Sequence, residues 1–143
     1  MKSKEMPAKR AVIVLSHGSR IAEANDDVLK LSALMQENTH QGDEIKVSTA
    51  FLQFGKPSLE ESIKNLVERG YEEVLLAPLF LTPGVHITQD IPEIISGAQD
   101  LFHGVQFKLC RHLGCDHRLI PILWDRINEH MNNNGGEKDD SEV

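Results

Sequence analysis

An α/β fold is predicted here: one open, mainly parallel four-stranded sheet flanked by helices, in a single lobe with flavodoxin-like layering. Three observations predict it. Apolar runs alternate four times with helix-period segments along the 143 residues. The run at 74–81 (VLLAPLFL) is apolar without in–out alternation, as expected of a parallel strand covered on both faces. Polar or glycine-containing breaks separate the runs, and successive βα units imply right-handed crossovers.

The elements follow in order. Residues 11–16 (AVIVLS) form the first strand and stop at His17-Gly18-Ser19-Arg20, a turn-like break. A helix is expected from about 22 to 38, with Val28, Leu31, Leu34 and Met35 on one broad apolar face. Gln41-Gly42-Asp43 punctuates, and 45–51 reads as the second strand. Pro57-Ser58 opens the next helix: Ser58 is the N-cap and Glu61, three residues on, completes a capping box. Leu59, Ile63, Leu66 and Val67 share its apolar face, and Gly70 closes it. The third strand, 74–81, is broken by Thr82-Pro83-Gly84, and a helix is expected over about 91–102 with Pro92 in its first turn. A fourth strand at 105–110 puts Cys110 in the core. The last helix, about 117–130, carries Leu119, Ile120, Leu123, Trp124 and Ile127 as a wide stripe. The expected organisation is a flexible segment 1–10, one α/β domain over 11–130 and a disordered acidic tail 131–143.

Composition narrows the class. A 16.0 kDa chain with 40% hydrophobic and 26% charged residues suits one globular domain. Fifteen basic against 22 acidic residues give a net charge of −7, without a basic stripe for nucleic acid. The first ten residues sum to +3 and 131–143 to −3, so the body between carries the whole excess. No run approaches the roughly 18 apolar residues of a membrane helix, and the short apolar run near the N-terminus is no signal-peptide core. Two cysteines are too few for a disulfide scaffold, so a reducing cytoplasm is expected.

Ligands of open α/β sheets bind beyond the carboxyl ends of the strands. By this element order histidines stand at three such ends: His17 after the first strand, His86 after the third, His112 and His117 after the fourth. Imidazole accepts a proton near neutral pH and binds divalent Fe, Co, Ni, Cu and Zn. A loop histidine is more often a plain surface residue, but two at adjacent strand ends, near Gly18 and Gly84, point to one crevice. There is no Walker loop, no Gly-x-Gly-x-x-Gly and no Gly-x-Ser-x-Gly elbow, which leaves nucleotide and dinucleotide chemistry without support. The segment Cys110-Arg111-His112-Leu113-Gly114-Cys115-Asp116-His117 gathers four potential ligands, at a spacing of no standard zinc or iron–sulfur site.

Val14-Leu15-Ser16-His17-Gly18-Ser19-Arg20, Ala50-Phe51-Leu52 with Pro57-Ser58, Ala77-Pro78-Leu79-Phe80-Leu81, Gly84-Val85-His86 and Asp90-Ile91-Pro92 together resemble the CbiX family, the sirohydrochlorin chelatases, in their short single-lobe form. Leu113-Gly114, Asp116 and Arg118-Leu119 fit as well, so the likeness runs from about Val12 to Ile127. The resemblance implies ATP-independent insertion of a divalent metal into sirohydrochlorin, on a route to cobalamin or a related tetrapyrrole cofactor. Co²⁺ is expected, with Ni²⁺ or Fe²⁺ as substitutes; the metal is a substrate, and no permanently bound cofactor is implied. By the same resemblance His17 is the proton acceptor and a metal ligand, and His86 the second metal-binding histidine. Leu81, Thr82, Pro83, Gly84, Val85 and His86 form the loop along the tetrapyrrole, and Lys56 stands at a substrate-contacting position. Gln53 and Lys56 depart from the acidic residues common at those places, and a cation facing a polycarboxylate is chemically sensible. A flat macrocycle needs two walls and the longer relatives resemble two lobes in one chain, so a homodimer is expected, with an interface around Phe51, Leu52 and Phe54. Two other readings compete: a non-catalytic cobalt- or nickel-binding carrier using the same histidines, and, more distantly, a histidine phosphatase.

Overall fold

Strand and helix alternate throughout the computed structural model, which describes residues 9–39, 44–82 and 84–131, His86 by its backbone alone. Most of the expected flexible segment, Gln41-Gly42-Asp43, Pro83 and all of the acidic tail beyond Met131 lie outside the described residues. The order is β1 (Arg10–Ser16), α1 (Ala22–Glu37), β2 (Ile45–Phe51), α2 (Leu59–Glu68), β3 (Glu73–Pro78), α3 (Val85–Leu101), β4 (Gln106–Leu109) and α4 (Leu119–Met131). The four strands make one wholly parallel sheet in the order β2-β1-β3-β4. The chain divides into two compact units, Met1–Leu113 with the sheet and α1–α3, and Gly114–Val143 with α4.

Strand period 2 sorts β1 and β3 into two faces. Ala11, Ile13 and Leu15 point one way with Val74 and Leu76, and all five are fully buried. Leu59, Ile63 and Leu66 of α2, with Ile87, Ile91 and Ala98 of α3, cover that face and complete the main core. Each large aliphatic side chain removed from water here contributes about 1.5–3 kcal/mol. The expected capping box of α2 is present: the Glu61 N–H donates to Ser58 Oγ (3.1 Å) and the Ser58 N–H to Glu61 Oε1 (2.9 Å).

The opposite face is served by α1, and there the expected apolar stripe is corrected. Leu31, Leu34 and Met35 are 40%, 54% and 37% exposed, while Ser32 is buried. The sheet-facing stripe is Asn25, Val28, Ser32 and Gln36, which share one side at helical spacing. Thr49 Oγ1 donates to Ser32 Oγ (2.7 Å), and Gln36 bonds both the Ile45 carbonyl and the Val47 N–H (2.8 Å each). Specific hydrogen bonds to β2 outweigh leucine burial in setting the helix's rotation.

Three boundaries also move. β3 ends at Pro78 rather than near Leu81, because the chain turns there: the Leu79 N–H still donates to the Leu15 carbonyl, Phe80 folds into the core, and Leu81 is exposed. β4 ends at Leu109, so Cys110 is half-buried beyond the strand rather than inside it. α3 begins at Val85, not Ile91, with Gly84 as N-cap and Pro92 inside the helix. Pro92 withdraws one i→i−4 bond, but the packing of Ile87 and Ile91 against the sheet continues through it.

Candidate functional site

The carboxyl ends of the strands bring four chain segments to one end of the sheet. His17 follows β1 and is exposed, and its position depends on a close approach between two loops. The Leu52 N–H donates to the Ser16 carbonyl (2.9 Å) and the Gln53 N–H to the His17 carbonyl (3.1 Å), extending the β1–β2 ladder beyond the strands. Gly18 sits at φ +90°, and a Cβ there would lie 1.6 Å from the Gln53 carbonyl oxygen. Only glycine lets the chain turn at this point and leave His17 facing solvent.

Asn25, in the second turn of α1, fastens both loops. Its Oδ1 accepts from the Ser19 N–H (2.9 Å), and its Nδ2 donates to the Ser19 carbonyl (2.9 Å) and the Phe54 carbonyl (2.8 Å). Nothing in sequence marked this residue, beyond a polar position early in a helix that follows a histidine loop. Phe54, at φ +56°, is 48% exposed and lies under the Arg20 guanidinium, 4.5 Å from its ring centroid. Of the three residues expected around the interface, Phe54 is exposed, whereas Phe51 is 1% exposed and Leu52 packs against the core. Strand pleat sends Phe51 inward.

On the other side of β1 lies β3, as the expectation of adjacent strand ends requires. The His17 ring stands 5.1 Å from the Phe80 ring, tilted by 57°. Beyond Phe80 come Leu81 and Thr82, then Gly84, Val85 and the first turn of α3, whose backbone carries His86. Leu81 and Val85 are 57% and 71% exposed, two apolar side chains offered to solvent. The N-terminus of α3 has no side-chain cap; Gly84 accepts from both the N–H (3.0 Å) and the hydroxyl (2.9 Å) of Thr88. Its first N–H groups therefore face outward with the helix's positive end. Lys56, after β2 and joined to Pro57 by a cis peptide bond, is exposed.

The fourth segment, residues 110–113, follows β4. The Cys110 N–H donates to the Leu76 carbonyl (2.8 Å) and the Leu113 N–H to the Phe80 carbonyl (3.0 Å), so this strip runs beside the chain leaving β3. Between it and α3 opens a cavity of about 410 Å³, walled by Phe80, Ile91 and Pro92 and bordered by Cys110, Arg111 and His112. In the second unit Asp116 takes Arg118 in a two-pronged ion pair (2.8 and 2.7 Å), with His117 Nδ1 3.9 Å away. That pairing raises the Arg118 pKa still further, through its hydrogen bond and the carboxylate charge. Among the described residues no three His, Cys, Asp or Glu side chains converge on a cation position. Cys110 and Cys115 are free thiols.

The arrangement is one-sided: an imidazole on a fixed turn, flanked by exposed apolar groups, a free helix N-terminus and several cations. The family model described as CbiX matches residues 11–130. The chain is 30% identical over 129 residues to a chloroplastic sirohydrochlorin ferrochelatase of Arabidopsis thaliana, covering 90% of this chain and 56% of that protein. It is 28% identical over 129 residues to a sirohydrochlorin cobaltochelatase of Saccharolobus solfataricus, covering 86% and 97%. Its fold superposes on the crystal structure of a CbiX protein from Marinobacter aquaeolei with a TM-score of 0.72 at 27% identity, covering 87% and 98%. The chain spans about half the length of the ferrochelatases it matches and nearly all of the cobaltochelatase.

Proposed function

Because this chain belongs to the CbiX family, we propose that it inserts a divalent metal ion into sirohydrochlorin, without ATP. The observation that carries this reading is His17 on its glycine turn, 5.1 Å from Phe80 and on the strand next to the one that leads to His86. The free macrocycle holds two inner N–H protons, which must leave as the dication enters. The His17 and His86 imidazoles hold the metal over the ring while its waters are shed; as the metal passes to the ring nitrogens, the freed His17 imidazole takes one of the two protons and the other leaves to water. Leu81 and Val85 lie along the macrocycle face, with Thr82, Pro83 and Gly84 completing that loop. Outward N–H groups at the start of α3 receive a substrate carboxylate, and Lys56 receives another. Exposed cations beside the site answer at short range the long-range repulsion between a −7 chain and a polyanion, which physiological salt screens within about 8–10 Å.

Co²⁺ is the metal we assign, since the relative matched over nearly its whole length is a cobaltochelatase; Fe²⁺ and Ni²⁺ are the substitutes that imidazole equally serves. We place the reaction in the cytoplasm, consistent with two free thiols and with no described helix long and apolar enough to cross a membrane. We further assign residues 11–130 to one working domain and the working form to a homodimer, in which a second copy supplies the wall that this one-sided site lacks. The test is the anaerobic absorbance change of sirohydrochlorin with Co²⁺, Ni²⁺ or Fe²⁺, with and without protein. Acceleration over the spontaneous rate, lost in both His17→Ala and His86→Ala, is the expected result. Metal binding without acceleration would reassign the protein as a carrier.

A further inference from the structure

We infer that the cavity between α3 and residues 110–112 is a subsite for one carboxylate-bearing edge of the tetrapyrrole, with Arg111 as its clamp. The inference rests on the chelatase reading and extends it to a part of the chain that reading does not use. The cavity adjoins the site, because Phe80 forms its wall and also meets the His17 ring at 5.1 Å. About 410 Å³ lies at the low end of the roughly 300–1,000 Å³ typical of small-molecule sites. That is room for one pyrrole ring and its substituents, not for a macrocycle. Apolar Phe80, Ile91 and Pro92 suit the ring, and the polar border at Arg111 and His112 suits its acid side chains.

Among the described residues, Arg111 is the one lysine or arginine that lines the cavity. Arg10 and Lys108 are tied to Glu73, at 2.6 and 2.8 Å, Arg118 to Asp116, and Lys9 lies 4.5 Å over the Tyr71 ring. Arg111 is exposed at the border of the cavity and has no ion pair or hydrogen bond with any described side chain, so its guanidinium is available to a ligand there. A guanidinium so placed presents a planar fork suited to a carboxylate. Its position completes a pattern. Neighbouring strands lie about 4.8 Å apart, so the β2 and β4 ends are about 14 Å from each other. Lys56 and Arg111 therefore stand at opposite edges of the sheet, with His17 between them. A macrocycle with carboxylates around its rim is gripped at both sides with its centre near the imidazole.

The experiment is fluorescence-quenching titration of metal-free sirohydrochlorin into the full chain and its Arg111→Gln, Arg111→Lys and Thr88→Phe variants, paired with steady-state Co²⁺ insertion. Thr88 lines the cavity from α3, so phenylalanine there fills it without altering charge. Arg111→Gln is expected to raise Kd about 10- to 100-fold, the loss of one charge-assisted pair. The defect falls on KM rather than kcat; Arg111→Lys recovers part of it and Thr88→Phe reproduces it. Arg111 and Thr88 are exposed, and unfolding midpoints verify that the variants remain folded. An unchanged Kd in Arg111→Gln or Thr88→Phe, beside a wild type that binds and metallates, overturns the subsite alone. A wild type that neither binds nor metallates overturns the chelatase reading with it.

Discussion

Gly18 and His17 are neighbours with opposite demands. His17 is exposed, so His17→Ala should change stability by less than about 1 kcal/mol while abolishing metallation. Gly18→Ala must relieve a 1.6 Å approach to the Gln53 carbonyl and a φ of +90°. It should cost at least about 1–3 kcal/mol in urea unfolding, and it should impair activity by moving His17 without altering its chemistry. Chemical denaturation of the two variants side by side separates the reacting group from the turn that aims it. His17 was legible in sequence as a histidine directly after an apolar run. Asn25 was not, because its three hydrogen bonds go to loops six and 29 residues away. Nothing about an isolated asparagine indicates which carbonyls the fold will bring to it.

The parallel register places Arg10 of β1 beside Glu73 of β3 at the amino end of the sheet, away from the site, and Lys108 of β4, paired with Leu75, reaches the same carboxylate diagonally. The Lys108 hydrogen bond first, then that of Arg10, hold the Glu73 carboxyl below the usual glutamate range against the cost of its burial. A depressed pKa means that the unfolded chain binds the proton more readily. The contribution is therefore present at neutral pH and is lost as pH falls through the ordinary carboxyl range to the lower folded value. Glu73→Gln should lower stability by about 1–2 kcal/mol at pH 7 and flatten the loss of stability as pH falls through and below the ordinary carboxyl range. Urea midpoints against pH for both proteins would show whether the two curves converge on the acid side. Local rules read some elements well: Ser58 and Glu61 determined the start of α2, because a capping box is satisfied within four residues. They misread α3, where Pro92 near the start of an apolar stretch looked like a first-turn proline. The burial of Ile87, one turn earlier, extends that helix back to Val85 and brings His86 into it.

For the whole molecule the central prediction is assembly. A one-sided site with exposed Leu81 and Val85, and exposed Leu31 and Leu34 on α1, leaves apolar surface that a second copy is expected to cover. Sedimentation equilibrium should give about 32 kDa, twice the 16.0 kDa chain mass. A dimer-disrupting Leu34→Glu variant that stays folded should lose metallation if the second copy supplies the facing wall, and a fully active monomer would argue against that arrangement.

Much of this protein is written in short-range pattern. The βα alternation, the parallel sheet, the capped α2 and the location of His17 all follow from hydrophobic period, capping residues and strand length, which act over a few residues. Other features depend on register and strand order. The order β2-β1-β3-β4 puts the chain leaving β1 beside the chain leaving β3, so His17 meets Phe80. It also sets Glu73 between two cations and opens the Arg111 cavity against α3. The rotation of α1 belongs with these, since hydrogen bonds from Ser32 and Gln36 to β2 override the leucine pattern that a lone helix displays. Interactions between groups tens of residues apart have no fixed sequence spacing, so they exist as a pattern only once the chain has folded.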